Sequence, residues 1–144
     1  MRKVHDVHIA AENRQDVEGA LATYHEGCFL EPVQLGVRLQ GKQLVALAYH
    51  AAYQAFPDAV FYVEGEAFGE QVMVVWGIVT ATMRREWMGI PPTGRRVEYP
   101  MVSVIPFKDG LMAGERQFSD LATWCEQLGL SIEAVRSAFE SLRA

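Results

Sequence analysis

From Gln71 to Arg85 an extended chain would carry apolar side chains on both faces: Val72, Val74, Trp76 and Ile78 on one, Met73, Val75 and Val79 on the other. A strand of that kind belongs in the middle of a sheet and is covered on both sides. The sheet comes from its neighbours. Val60 to Phe68, Arg95 to Phe107 and Leu111 to Phe118 are rich in β-branched and aromatic residues. Turns are expected at Gly69-Glu70, at Pro91-Pro92-Thr93-Gly94 and at Lys108-Asp109-Gly110. Strands joined so closely pair antiparallel, as a meander.

The first half has a different period. Val4, Val7 and Ala11 recur at helical spacing with His8 on the same stripe, and Asp16 opens a second helix, running to Gly27, with Val17, Leu21, Tyr24 and Cys28 on one side. After Phe29-Leu30-Glu31-Pro32, alternation of Val33, Leu35, Val37 and Leu39 predicts a strand, and Gln43 to Phe56 a third helix with Leu44, Leu47, Ala48, Ala51 and Ala55 on its apolar face. Helical spacing returns from Asp120 to Gly129, and Ser131 caps an added C-terminal helix over about 131-143. The chain of 144 residues is therefore expected to be one α+β domain, 1-144. Helices would cover one face of the sheet, and the apolar face left over calls for a second copy, a homodimer.

Several function classes recede. A net charge of −5, with the cluster Arg84, Arg85, Arg95 and Arg96 broken by Glu86 and Glu98, does not fit a nucleic-acid binder. No apolar run approaches membrane-spanning length, and no apolar stretch follows the charged N-terminus as in a signal peptide. Cys28 and Cys125 have no paired spacing and read as buried small hydrophobes of a reducing cytoplasm. His5, His25 and His50 are scattered, so neither a metal nor a cofactor is expected.

The phrase Gly89-Ile90-Pro91-Pro92-Thr93-Gly94-Arg95-Arg96-Val97-Glu98 resembles the loop and strand opening of SnoaL-like polyketide cyclases, within the nuclear-transport-factor-2-like superfamily. Ala55-Phe56-Pro57-Asp58, Phe107-Lys108-Asp109-Gly110 and Glu115-Arg116-Gln117-Phe118-Ser119-Asp120-Leu121 running into Gln127-Leu128-Gly129-Leu130 agree in order and spacing. The resemblance implies a curved antiparallel sheet wrapped around the N-terminal helices as a cone-shaped pocket for a small apolar molecule. It implies fold more strongly than reaction, because this fold carries several chemistries.

The chemistry of such a pocket needs a carboxylate or His kept dry beside a carbonyl or epoxide. By resemblance to ketosteroid isomerase-like members, Glu31 before Pro32 would be a buried general base; alternatively it borders a turn. His8 falls near the pocket tyrosine of those members; alternatively it is a core histidine bonded to a backbone carbonyl. The acid that the cyclases carry on the last strand corresponds to Asp120 or to Gln117, which point to opposite faces of a regular strand. With Gln117 inside and Glu115 beside it, Asp120 caps the following helix. Ser103 lies across the sheet from that segment, and Trp76, Trp87, Tyr99 and Met101 are expected wall residues. Three functions follow: a cyclase-like or isomerase-like enzyme working by proton transfer through Glu31, His8 or Asp120; a binding or dimeric interaction domain without chemistry; and an epoxide or lactone hydrolase using Arg96 and Glu98.

Overall fold

The structure, a computed structural model, describes residues 1–142. Its centre is the twice-apolar strand. Strand β3 (Val60–Phe68), β4 (Val72–Thr82) and β5 (Arg96–Lys108) form an antiparallel meander, with β4 paired to β5 from Val72 opposite Pro106 to Thr82 opposite Arg96. Beyond β5 lies β7 (Glu115–Ser119), then β1 (Phe29–Pro32), parallel to β7, and the two-residue β2 (Leu39–Gln40). The short β6 (Leu111–Met112) closes the hairpin on β5.

Helices α1 (Arg2–Asn13), α2 (Val17–Leu21) and α3 (Lys42–Ala55) cover the inner face, where Met73, Val75, Val79 and Ala81 are buried. The outer face of the same strands is open within the single chain: Trp76, Val102 and Phe118 are each about 40% exposed (40%, 38% and 38%). Helices α4 (Leu121–Leu128) and α5 (Ile132–Ala138), followed by a 3-10 turn over Glu140–Leu142, pack Trp124, Val135 and Phe139 against Phe56, Met83 and Val97. Ser131 caps α5 through the amide of Ala134; the expected end near Arg143 lies outside the described residues. No described helix is long and apolar enough to cross a membrane.

Four local expectations are corrected. Helix α2 stops at Leu21 rather than Gly27, because the next turn is captured by β6: Met112 N donates to Thr23 O at 3.0 Å and His25 N to Met112 O at 2.8 Å. Leu35, Val37 and Leu39 are buried in alternation, yet Val33–Leu35 is a 3-10 turn ended by Gly36 at φ 69°, a left-handed conformation suited to glycine. The expected strand Leu111 to Phe118 is split into β6 and β7 around Gly114, where a Cβ would strike the Phe29 ring. On α1 the inward residues are His5, His8 and Ala11, while Val7 is 59% exposed.

Candidate active site

Helix α3 shows where the space lies. Only Val45, Tyr49 and Ala55 are fully buried on it, whereas Leu44, Leu47, Ala48 and Ala51 line a cavity of about 440 Å³ between α3, α1 and the sheet. Phe56, Phe61, Val79, Trp87, Tyr99 and Met101 supply much of the wall, and Trp124 and Phe139 reach it from the C-terminal helices. Among the described lining residues Glu12 is the one charged side chain, with Asn13, Gln34, Gln117 and Ser119 as polar company. The Asn13 amide is spent on β3, accepting from Phe61 N at 2.9 Å and donating to Phe61 O at 3.1 Å.

Glu12 stands one turn beyond His8, so α1 aims both at the same spot. The Thr23 hydroxyl donates to Ala20 O at 2.6 Å and lies 2.8 Å from His8 Nδ1. With the hydroxyl proton committed, Nδ1 carries the hydrogen and donates to Thr23. Nε2 then faces Glu12 Oε1 at 3.2 Å and the Tyr49 hydroxyl at 3.4 Å. Two lone pairs cannot share that short gap favourably, so a proton lies between imidazole and carboxyl.

Burial alone would lower the His8 pKa, but the charge and hydrogen bond of Glu12 outweigh it and raise it. Burial would raise Glu12, and His8, by charge and hydrogen bond, outweighs that and holds it below the ordinary carboxylate value. The proton therefore rests mainly on His8, as an imidazolium–carboxylate pair. His5, one turn earlier, is pushed down to about 4 by burial and by the charge of His8, and is neutral.

Behind this pair sits a second acid. Glu115 is buried on the inner side of β7, where its carboxylate accepts from Ser103 Oγ at 2.6 Å, Tyr24 OH at 3.0 Å and Gln117 Nε2 at 3.3 Å. Burial, then the nearby Glu12 charge, hold its carboxyl above the ordinary range. The Tyr24 and Tyr49 hydroxyls are 3.0 Å apart, and Tyr49 also hydrogen-bonds Glu12. His8, Glu12 and Glu115 bring one donor atom each within 4.8 Å of one another, a spacing a cation could span. Those atoms are already engaged by one another and by tyrosine, so the set is a hydrogen-bonded network rather than an open ligand shell.

Trp87, Tyr99, Met101 and Gln117 line the cavity, and His8, Ser103 and Glu115 sit directly behind it. Three expected site residues lie elsewhere. Glu31 is opposite Arg116 on the outer side of the β1–β7 pair, where its carboxylate takes the Arg116 guanidinium at 2.9 Å and Arg38 at 3.2 Å. The residue that turns inward beside it is Leu30. Asp120 accepts from the amides of Ala122 and Thr123 at 3.0 and 3.2 Å, so it caps α4. Trp76 is on the outer face, laid over Gly65, where a Cβ would collide with its ring. Arg96 and Glu98, 3.8 Å apart, are both exposed and off the cavity.

Glu12, Tyr24 and Tyr49 escaped the sequence reading. Glu12 was discoverable as the residue four beyond His8; Tyr24 and Tyr49 look like ordinary core positions.

A family model described as SnoaL-like polyketide cyclase matches residues 2–128. None of the curated proteins matches the sequence. Among solved structures, AclR of Streptomyces galilaeus, provisionally described as a hydroxylase, is 25% identical with a TM-score of 0.75, over 89% of this chain and 94% of that one. TsrD of Streptomyces laurentii is 19% identical with a TM-score of 0.78, over 90% and 95%. A Catenulispora acidiphila protein of ketosteroid isomerase-like fold, in complex with trimethylamine, is 8% identical with a TM-score of 0.79, over 91% and 95%.

Proposed function

The chain belongs to the SnoaL-like polyketide cyclase family, and on that premise we propose that it is a cyclase-type acid–base enzyme for a small, largely apolar carbonyl compound. The observation that carries this reading is Glu12: one carboxylate on the wall of an otherwise uncharged aromatic cavity, backed by a histidine that fixes its orientation and protonation. Glu12 is ionised and so accepts a proton from a carbon next to the substrate carbonyl. The Tyr49 hydroxyl and the Gln117 amide, both on the same wall, are donors for the enolate oxygen that develops. With no lysine or arginine among the described lining residues, the cavity favours neutral substrates over carboxylates.

The test is α-proton exchange of a small aromatic β-keto ester in D2O, followed by NMR, which detects proton abstraction without requiring ring closure. Wild type is expected to catalyse the exchange and Glu12→Gln to lose it by about 10²–10⁴-fold, the usual worth of a positioned base. Exchange by Glu12→Gln at the wild-type rate would remove Glu12 from the mechanism.

A second reading is supported by the same wall. Aromatic rings around a single carboxylate also suit an organic ammonium, held by cation–π contact without chemistry, and the Catenulispora protein of the same fold was crystallised with trimethylamine. Tight trimethylamine binding with no exchange activity on any carbonyl compound would favour it. In either case the exposed outer face, with Trp76, Val102 and Phe118 on adjacent strands, supports a homodimer.

A further inference from the structure

Glu115 does not line the cavity, yet an unbroken set of hydrogen bonds joins it to the acid that does. Starting inside, Glu115 Oε2 is 3.0 Å from the Tyr24 hydroxyl, which is 3.0 Å from the Tyr49 hydroxyl, which hydrogen-bonds Glu12. Tyr24 is 0% and Tyr49 5% exposed, so bulk water does not compete along the chain. Each hydroxyl has one proton to donate, which allows only two orderly arrangements. If Tyr49 donates to Glu12, Tyr24 donates to Tyr49 and Glu115 must be the acid that donates to Tyr24. If Glu12 is the acid, every bond reverses and Glu115 is the carboxylate.

We propose that Glu115 is a proton reservoir for Glu12, connected through the Tyr24 and Tyr49 hydroxyls, and so a positioning residue for the acid–base step. This rests on the reading of Glu12 as the cavity acid–base group. In the transfer, the Glu115 O–H proton passes to Tyr24, the Tyr24 proton to Tyr49 and the Tyr49 proton to Glu12. The carboxylic acid becomes carboxylate at one end, the carboxylate becomes acid at the other, and both tyrosines finish as neutral phenols. No net charge leaves the network and no electron moves. The raised pKa of Glu115 agrees with its holding a proton at rest. Burial pushes both tyrosines well above their ordinary value, with the nearby carboxylates adding to it, so they relay protons without ionising. Ser103 and Gln117, donating to the other Glu115 oxygen, stabilise its carboxylate form when the proton has gone. After Glu12 has given a proton to product, Glu115 resupplies it from the side that substrate does not block.

The experiment is infrared spectroscopy of ¹³C-glutamate-labelled protein on transfer into D2O, and it needs no substrate. Wild type is expected to show a carboxylic-acid band that Glu115→Gln removes and that shifts as its proton exchanges. Tyr24→Phe should slow that shift at least tenfold, and Tyr49→Phe should do the same, while Tyr62→Phe, on the exposed outer face, leaves it unchanged. Tyr49→Phe decides the matter should Tyr24→Phe fail to fold. A purely structural hydroxyl would alter the melting temperature without altering the exchange rate. The relay is overturned if Glu115 shows no acid band, or if folded tyrosine variants exchange as fast as wild type. Loss of the relay on this measurement would leave the Glu12 assignment standing, since that is judged by substrate exchange alone.

Discussion

Two glutamates one register step apart meet opposite fates. Glu115 lies opposite Leu30 on the inner face of the β1–β7 pair, and Glu31 lies opposite Arg116 on the outer face. Inside, the carboxyl is buried, held by neutral donors, and pushed toward its protonated form. Outside, the carboxyl is an ordinary ion-pair partner of Arg116 and Arg38. The side-chain period of two in a strand makes this difference, and a slip of one residue would exchange the roles. Chemical identity therefore says little about function here; the face decides.

Four measurements can break or sharpen that contrast. The largest effect belongs to the inner face, where Glu12→Gln is expected to lower carbonyl α-proton exchange by 10²–10⁴-fold. An inner-face effect also governs acid stability. His5 is held neutral, its pKa lowered from 6.5 to about 4, so the unfolded chain binds more protons between those values and stability falls as pH drops through them. That contribution is about 3 kcal/mol at one pKa unit per 1.36 kcal/mol. His8, raised, works oppositely: its stabilisation is present below its unfolded pKa and lost as pH rises through the folded one. Chemical denaturation at pH 7 and pH 4.5 should show a smaller difference for His5→Leu than for wild type; an equal difference would place the titration elsewhere.

The outer face should respond in assembly rather than chemistry. Trp76→Ser with Phe118→Asp is expected to weaken self-association at least tenfold by sedimentation, with α-proton exchange retained per folded chain. A wild-type monomer at high concentration would remove the homodimer. The smallest effect is reserved for Glu31→Gln, which should change unfolding free energy by less than about 1 kcal/mol, as partly exposed ion pairs do, and leave exchange activity intact. A large loss of activity would mean that the outer face takes part after all.

The fold was legible where local pattern and tertiary need agree. The meander β3–β4–β5, its turns and the caps Asp120 and Ser131 follow from periodicity and capping chemistry, and the resemblance pointed to the family that the match over residues 2–128 shows. Expectation failed where a distant segment intervened, as when Met112 draws Thr23 and His25 out of the helix that their spacing suggests. The site was half legible. Gln117, Trp87, Tyr99 and Met101 line the cavity and Ser103 and Glu115 back it, but Glu12 was hidden by the ordinary rule that a charge off the apolar stripe faces water. On α1 that charge faces a cavity, and on α3 an apolar stripe faces the same cavity instead of the core. Periodicity reports which side is turned from solvent without distinguishing packed atoms from enclosed space.

The arrangement of the rings also equips the molecule with its own optical probes. The sequence has three tryptophans. Trp87 and Trp124 face the cavity, their rings 5.2 Å apart in an edge-on contact, while Trp76 stands alone on the far side of the sheet. In a Trp76→Phe protein the remaining emission would report cavity occupancy; in a Trp87→Phe, Trp124→Phe protein, the single Trp76 would turn blue only as its own surface is covered. Filling and pairing can thus be followed separately in one chain, without any added label.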